Sequence, residues 1–236
     1  MKEVHIVGCG GVACCLVTSL LQTAEFMLGK PTIHLWDGDK FEKKNIARQF
    51  LANGNEGGNK ADVFASHFTK LYSGSLVSHP DWFHQFAHEF IPDSLIICVS
   101  DNHAARRYCR DAARDFNVPL ISGANETDSG EAWVWLREFE GTPADPWIRY
   151  PDLHKDVGVD PIRPVGCASD TAFADNPQIP AGNFMTAAGI MWLVHGLFGR
   201  KDHAPSYEHN PAEYRFCRNG WFGKTFHQVL NTGGAI

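Results

Sequence analysis

The sequence predicts an α/β protein: a Rossmann-like, mostly parallel sheet with helices on both faces, followed by a loop-rich segment and a C-terminal apolar helix. The first observation is the alternation of short apolar segments, such as residues 3–7, 32–36 and 94–100, with helical patterns. The second is a change of texture over residues 140–180, where prolines interrupt a polar segment. An apolar segment over residues 181–198 follows and has the length of a helix.

The composition fits a single domain with its own core. The chain has 236 residues, 44% of them hydrophobic, and a net charge of −6. We expect one domain over residues 1–236, made of a nucleotide-binding core (1–139), a long crossover loop (140–180), and a C-terminal helix with a late strand (181–236). The acidic charge offers no basic surface for nucleic acid, so we expect none as a partner.

The cysteines and the apolar segments indicate the cellular compartment of the protein. The seven cysteines form no C-x-x-C pair, which argues against a zinc ribbon built from local pairs. Several lie in apolar segments, where reduced, buried cysteine is usual. The sequence is read as having no secretory signal and no apolar run of membrane-spanning length. The expectation is therefore a cytoplasmic protein that acts away from membranes.

A glycine-rich turn joins the first strand, residues 3–7, to a helix predicted over residues 14–28. The turn carries Gly8, Gly10, Gly11 and Ala13. In a G-x-G-x-x-A turn the first glycine permits the sharp bend, the second lets the backbone approach a phosphate or ribose, and the small third residue allows close helix packing. The helix N-terminus adds free N–H groups. The turn favours nucleotide binding, although glycine turns with a purely structural role are frequent.

An aspartate ends the second predicted strand, residues 32–36. Asp37 lies 24 residues after Ala13, close to where an acidic residue binds the ribose in dinucleotide-binding folds. Asn45 and Arg48 follow eight and eleven residues later and could reach phosphates from the same edge of the sheet. The alternative is a solvated turn, because Asp37-Gly38 is also a common turn sequence.

A lysine opens the helix predicted over residues 59–71. Lys60 lies in the first turn of that helix, where a cation opposes the helix dipole and is locally unfavourable. This position makes Lys60 a candidate phosphate ligand. The alternative is an ordinary surface lysine.

A strongly apolar strand over residues 94–100 ends in Asp101-Asn102. Ligands of open α/β sheets bind at this carboxyl edge, and the Asp101 carboxylate is a hard donor that suits Mg²⁺ beside a triphosphate. The alternative is that Asp101 or Asn102 caps a helix that begins near residue 103. On that helix, Arg106 and its neighbours Arg107 and Arg110 are expected to form a solvated or ion-paired face.

The remaining elements complete the predicted sheet. Further strands are expected over residues 75–78, 118–122, 132–137 and 213–218, and a short helix over residues 81–90.

Together these motifs resemble the ThiF/MoeB/HesA superfamily, the adenylating domain of ubiquitin-activating enzymes. Each motif is unspecific alone, but their order and spacing match the family over roughly the first half of the chain. The Pro-x-x-Cys at Cys167, with the later Gln178-Ile-Pro and Asn183-Phe-Met, looks similar to the ThiF proteins of plasmid-borne PRTRC gene clusters. The matching motifs are Gly8-x-Gly10-Gly11-x-Ala13, Asp37-x-Asp39, Asn45-Ile-x-Arg48-Gln49, Gly58-x-Lys60, and Asp101-Asn102 with Arg106.

The resemblance implies a function with ATP and Mg²⁺ as cofactors. Family members bind Mg·ATP and the C-terminal Gly-Gly of a small ubiquitin-like or sulfur-carrier protein, and the carboxylate attacks the α-phosphate to give an acyl-adenylate and pyrophosphate. Carried over, Asp37 would bind the ribose, Asn45, Arg48 and Lys60 the phosphates, and Asp101 the Mg²⁺. Gln49 would support the loop or touch phosphate, and the turn glycines, Asp39 and Asn102 would complete the nucleotide site. The family forms dimers, so a homodimer is expected.

Cys167 is the candidate nucleophile. It could take the acyl group as a thioester or join sulfur transfer, which requires a lowered thiol pKa. The alternative is a small packing residue in a structured loop.

Two other functions remain open at this point. One is a catalytically reduced ThiF-like binding or scaffold subunit, since the family's paired C-x-x-C motifs and an N-terminal helix that supplies an arginine finger are not seen in this sequence. The other is an NAD-dependent Rossmann enzyme, which explains the glycine turn and Asp37 but leaves Asn45, Arg48 and Lys60 without a role.

Overall fold

The chain forms an eight-stranded mixed sheet in a computed structural model that describes residues 1–84, 87–126, 129–150, 153, 179–198, 211–217, 220–225 and 228. The strand order is β3-β2-β1-β4-β5-β6-β7-β8. The pairs from β3 to β5 are parallel, and those from β5 to β8 are antiparallel. The strands are β1 (Glu3–Val7), β2 (Thr32–Trp36), β3 (Leu76–His79), β4 (Ser94–Cys98), β5 (Leu120–Asn125), β6 (Gly130–Trp135), β7 (Pro211–Cys217) and β8 (Gly220–Thr225).

Helices cover both faces of the sheet, as the sequence predicts. The first core, on one face, joins α1, α2 and α5 to the sheet, and the second core, on the other face, includes α3 and α4. Single 3₁₀ turns occur at Lys43–Asn45, Phe50–Ala52, Thr69–Leu71 and Arg137–Phe139. The helices are α1 (Gly11–Phe26), α2 (Lys60–Phe68), α3 (His103–Phe116), α4 (Pro146–Arg149) and α5 (Pro180–Phe198).

Alternation of side chains along the central strands builds both cores. On β1, Val4 and Ile6 are fully buried against α1, while Val7 belongs to the core on the opposite face. Leu16 and Leu20 of α1, one turn apart, meet the first set. Each fully buried aliphatic side chain stabilises the fold by about 1.5–3 kcal/mol, so this layer fixes the positions of the strand ends.

Parallel pairing places the carboxyl ends of β1, β2 and β4 at one edge. Val7 pairs with Trp36 of β2 and with Cys98 of β4. Gly8, Asp37 and the residues after β4 therefore leave the sheet side by side, which is where ligands of open α/β sheets bind.

Two expectations about local structure are wrong, and one further strand was not predicted. The segment at 81–90 forms no helix in its described residues, because Phe83 and Phe90 instead pack separately onto the sheet core. The first helix begins at Gly11 rather than at residue 14, since the glycine turn itself winds into the helix. The strand β8 was not expected and pairs with β7.

α5 also corrects an expectation. By length and composition alone, this 19-residue helix is apolar enough to cross a membrane. Its buried residues, including Ile190 and Leu193, pack in the same core as α1 and the sheet. That packing is typical of a core helix.

Candidate functional site

The glycine turn after β1 is shaped by close contacts. Gly8 has a φ of +99°, a left-handed conformation that favours glycine, and a Cβ there would lie 2.9 Å from the Ser100 nitrogen. A Cβ on Gly11 would lie 2.4 Å from the Asn183 amide nitrogen of α5. α1 starts directly after this turn. Its N-cap residue is Gly10, and among the described residues no side chain caps this end of the helix with a hydrogen bond. The turn therefore leaves a helix N-terminus with unmet N–H donors, which suits an anion.

Asp37 is held rigidly beside this turn. Its two carboxylate oxygens accept hydrogen bonds from the backbone N–H groups of Cys9 (2.7 Å) and Asp39 (2.8 Å). The side chain is only 8% exposed, and burial raises the pKa of Asp37 although Lys60 and these two hydrogen bonds oppose the shift. A carboxylate has about four lone-pair positions, so Asp37 can still accept ribose hydroxyls.

Lys60 reaches the same edge from the start of α2. Asn59 caps that helix by accepting from the Asp62 N–H and also donates to the backbone oxygen of Asp37, at 2.8 Å. The Lys60 ammonium lies 3.0 Å from Asp39. Burial lowers the pKa of Lys60, but the carboxylates around it outweigh burial, and the pKa stands above its usual value. Lys60 is therefore a charged, buried cation rather than a surface lysine.

The loop between β2 and α2 is organised by Asn45. This buried residue accepts a hydrogen bond from the Glu42 N–H at 2.9 Å, and its backbone oxygen accepts from the N–H groups of Arg48 and Gln49. Asn45 thus has a structural role in shaping the loop that the sequence did not indicate. The loop delivers Arg48 and Gln49 toward α1.

Two buried carbonyl oxygens lie at the N-terminus of α1. Gln49 Oε1 and Asn183 Oδ1 are both buried, and neither accepts a hydrogen bond from the described residues. Asn183 lies against Gly11, and the Gln49 amide nitrogen lies 3.8 Å from where a Gly10 Cβ would be. Buried polar groups without partners cost roughly 1–3 kcal/mol each, so their placement here indicates ligand contacts. The sequence pattern did not assign Asn183 a role in the site. The signal that could have indicated one is a polar amide inside an apolar helical segment.

Asp101 and Asn102 separate into two roles. Asn102 is the cap of α3, accepting from the Ala105 N–H at 3.0 Å. Asp101 is exposed at the carboxyl edge beyond β4. Its charge acts to raise the pKa values of Arg48 and Lys60, so Asp101 lies within electrostatic reach of each of these two cations. For Arg48 the largest effect is burial, and its net pKa is lowered.

The arginine face expected on α3 is partly wrong. Arg106 is 8% exposed, and its guanidinium lies 3.1 Å from the His103 ring nitrogen. Arg110 is ion-paired with Asp111 at 2.8 Å, as expected. Burial of Arg106 follows from the helical period, which turns position 106 toward the sheet together with Cys109 and Ala113.

The structure therefore brings most of the expected nucleotide site together at one edge. Asp37, Asp39 and Lys60 form a connected set, Asp101 lies within electrostatic reach of both Lys60 and Arg48, and Gln49 lies at the glycine turn. Asn45 and Asn102 support this site through backbone contacts. Cys167 lies outside the described residues.

Comparisons with known proteins give the family. The model of the ThiF family matches residues 1–199. The NEDD8-activating enzyme E1 catalytic subunit of Caenorhabditis elegans is 29% identical over 156 residues, covering 58% of this chain and 34% of that protein. The Drosophila melanogaster counterpart is 29% identical over 153 residues, covering 58% of this chain and 33% of that protein. The chain thus matches about a third of the length of these relatives.

Solved structures share the fold at low identity. The crystal structure of Escherichia coli MccB has a TM-score of 0.64 and 16% identity, covering 95% of this chain and 62% of MccB. The structure of selenomethionine PaaA has a TM-score of 0.63 and 18% identity, covering 96% of this chain and 64% of PaaA. The architecture is therefore that of these proteins, and because the family model matches most of the sequence, the chain belongs to the ThiF family.

Proposed function

We propose that this chain is an ATP-dependent adenylating enzyme that activates the C-terminal carboxylate of a small ubiquitin-like or sulfur-carrier protein. The observation that carries the proposal is the convergence of Asp37, Lys60, Arg48 and Asp101 on an uncapped helix N-terminus. The relatives support it: two are named for activating NEDD8, and MccB has been solved with AMPCPP and MccA.

The nucleotide would lie across the carboxyl edge of the sheet. Asp37 would accept hydrogen bonds from the ribose, because its carboxylate is already fixed by two backbone N–H groups. The phosphates would lie at the α1 N-terminus, where Arg48, Lys60 and the backbone N–H groups offset their charge. The Gln49 and Asn183 side-chain oxygens are hydrogen-bond acceptors, so they would contact hydroxyl, amino or water groups rather than phosphate oxygens.

The charge balance of the site fits Mg²⁺. Three carboxylates, Asp37, Asp39 and Asp101, act on Lys60, and Asp101 also acts on Arg48, so a triphosphate would meet a site with too little positive charge of its own. Asp101 is exposed there and is the hard oxygen donor that would hold the metal. When bound, Mg²⁺ supplies charge compensation on the phosphate oxygens.

The chemical step is a displacement at the α-phosphorus. A carboxylate oxygen of the carrier forms the new P–O bond, the bond from the α-phosphorus to the bridging oxygen breaks, and pyrophosphate leaves with that electron pair. No proton has to move, so the protein's task is positioning and charge stabilisation rather than general-base catalysis. Lys60 would supply that charge from a buried position and Arg48 from a half-buried one, where electrostatic interactions are stronger than in water.

The carrier and a later transfer step belong to the same proposal. A C-terminal Gly-Gly on the carrier would let an extended, narrow tail approach the nucleotide. The thiolate of Cys167 would then attack the acyl carbon, the C–O bond to AMP would break, and AMP would leave. Cys167→Ala should preserve pyrophosphate exchange and abolish any thioester to the enzyme, whereas loss of exchange would place Cys167 in the first step.

We also propose a homodimer. Phe184 and Trp192 on α5 are 62% and 56% exposed and lie eight residues apart on one helix face, with the exposed Ala188 between them. A second copy would cover this apolar stripe. Light scattering should give twice the chain mass for wild type, and Trp192→Glu should shift it toward the monomer; a monomeric wild type would contradict this.

The function is tested by pyrophosphate–ATP exchange in the presence of small β-grasp proteins from the same genome that end in Gly-Gly. Arg48→Ala and Asp101→Ala should each lower exchange by about 100- to 1,000-fold, the scale of losing one preorganised charge-stabilising group. Arg114→Ala and Asp115→Ala are matched controls, since these residues pair with each other on α3 at 3.0 Å. Exchange that survives both site substitutions would refute the site, and tight carrier binding without exchange in wild type would favour a scaffold role.

A further inference from the structure

A cluster of histidines lies on the sheet face opposite α1. Two-residue alternation puts Glu3 and His5 of β1 on this face with Val7, and the register pairs His5 with His34 of β2. His88 reaches the cluster from the irregular segment before β4. We call Glu3, His5, His34 and His88 the histidine cluster.

The ligand atoms of the histidine cluster are close enough to share one ion. One donor atom from each of the four residues lies within 4.8 Å of all the others. His5 Nε2 and His88 Nε2 each lie 3.3 Å from Glu3 Oε2, and His34 Nε2 lies 3.9 Å from Glu3 Oε1. Ligand atoms around a tetrahedral zinc with bonds of about 2.0–2.1 Å are separated by about 3.3–3.4 Å, so only small movements are needed.

His34 presents an unpartnered nitrogen to this space. Its Nδ1 lies 2.9 Å from the His79 Nε2, while its Nε2 is buried and makes no hydrogen bond with the described residues. If Nδ1–H donates to His79, the lone pair on Nε2 faces the Glu3 carboxylate, and the two acceptors repel each other. A cation between them turns that repulsion into two coordinate bonds. A second ring nitrogen that donates to an outer partner is also the usual arrangement of a metal-binding histidine.

His5 has a different role because of its neighbour Trp36. The Trp36 indole N–H can only donate, and it lies 3.3 Å from His5 Nδ1. In the neutral ring the proton is then on Nε2, which donates to Glu3. His5 therefore orients the carboxylate, and Glu3, His34 and His88 supply the ligand atoms.

We propose that Glu3, His34 and His88 bind one divalent transition-metal ion, best matched by zinc, with His5 and His79 as positioning residues. Imidazole nitrogens with one carboxylate suit zinc rather than Mg²⁺, which prefers oxygen ligands. The site is separate from the nucleotide edge, because it lies on the opposite sheet face from α1. The ion ties the irregular segment that carries His88 to β1 and β2.

The test uses the whole chain without a histidine tag, treated with chelator and then titrated with Zn²⁺ and, separately, Co²⁺. We expect one zinc per chain and a cobalt spectrum with visible d–d bands but without the intense near-ultraviolet band of thiolate ligands. His34→Gln should abolish binding, and His67→Gln, at an exposed position on α2, should not change it. His5→Gln, which keeps an N–H for Glu3, should bind zinc about 10- to 100-fold more weakly.

Two results would overturn the proposed metal site. Wild type that binds no zinc would show a metal-free hydrogen-bond network and overturn the proposal. A thiolate band would assign the metal to the cysteines and overturn it as well. Should His34→Gln fail to fold, the wild-type stoichiometry and cobalt spectrum still decide the question.

Discussion

The contact between Gly11 and Asn183 gives a quantitative stability prediction. A Cβ on Gly11 would lie 2.4 Å from the Asn183 amide nitrogen and 2.9 Å from its Cγ, so Gly11→Ala forces the amide or α5 to shift. Overpacking of this kind costs about 1–3 kcal/mol. The better helix propensity of alanine returns up to about 0.5–1 kcal/mol. We therefore expect a net loss of up to about 2.5 kcal/mol in the free energy of unfolding.

The partner substitution isolates the contact. The Asn183 side chain is fully buried, its Oδ1 has no hydrogen bond with the described residues, and its Nδ2 makes one long hydrogen bond, 3.4 Å, to the Arg48 oxygen. Asn183→Ala should therefore be close to neutral for stability and should remove the obstacle. In that background Gly11→Ala should be neutral or slightly stabilising, which gives a coupling energy of about 1–3 kcal/mol.

Urea denaturation of wild type, both single variants and the double variant measures this coupling. The slope of the free energy against urea should stay constant across the four proteins, while the midpoint falls only for Gly11→Ala. In thermal unfolding the same variant should lose about 2–4 °C per kcal/mol. An equal cost of Gly11→Ala in both backgrounds would refute the packing argument.

Two further predictions concern the nucleotide edge and the cysteines. Asp37→Asn turns the amide NH₂ group toward the backbone N–H of Cys9 or Asp39, so one hydrogen bond is lost. ATP affinity measured by calorimetry should fall about 10- to 100-fold. The preference for ATP over 2′,3′-dideoxy-ATP should also shrink, whereas an unchanged preference would remove Asp37 from the ribose site. Burial raises the pKa of Cys15 to about 11, so its thiolate fraction at pH 8 is about 100-fold below that of a thiol with the usual pKa. Peptide mass spectrometry after iodoacetamide treatment should find the exposed Cys217 modified before Cys15, and faster labelling of Cys15 would contradict its burial.

Much of the nucleotide edge follows from local sequence. The glycine turn, the strand 32–36 and the aspartate after it are close in sequence, so their patterns alone predict the edge where Asp37 lies. The start of α2 at Lys60 is equally local, because Asn59 supplies the cap. Asn102 rather than Asp101 caps α3, which the sequence left open.

Long-range contacts explain what the sequence did not indicate. Asn183 meets Gly11 only because α5 packs on α1, 172 positions earlier in the chain. Arg106 is buried because the helical period turns it toward the sheet, and the position of the sheet relative to that helix is a long-range property. The segment at 81–90 has helical spacing, yet Phe83, His88 and Phe90 contact the sheet separately, and those contacts outweigh local propensity. The histidine cluster likewise depends on strand register.

In the proposed reaction a carrier carboxylate attacks ATP at its α-phosphorus. Phosphorus NMR of the products tests it most directly, with wild type, Mg·ATP, a Gly-Gly-ending β-grasp carrier and hydroxylamine to trap the acyl group. We expect AMP and pyrophosphate in equal amounts, only when the carrier is present and not with Arg48→Ala. ADP and inorganic phosphate as the products would contradict it, because they require attack at the γ-phosphorus.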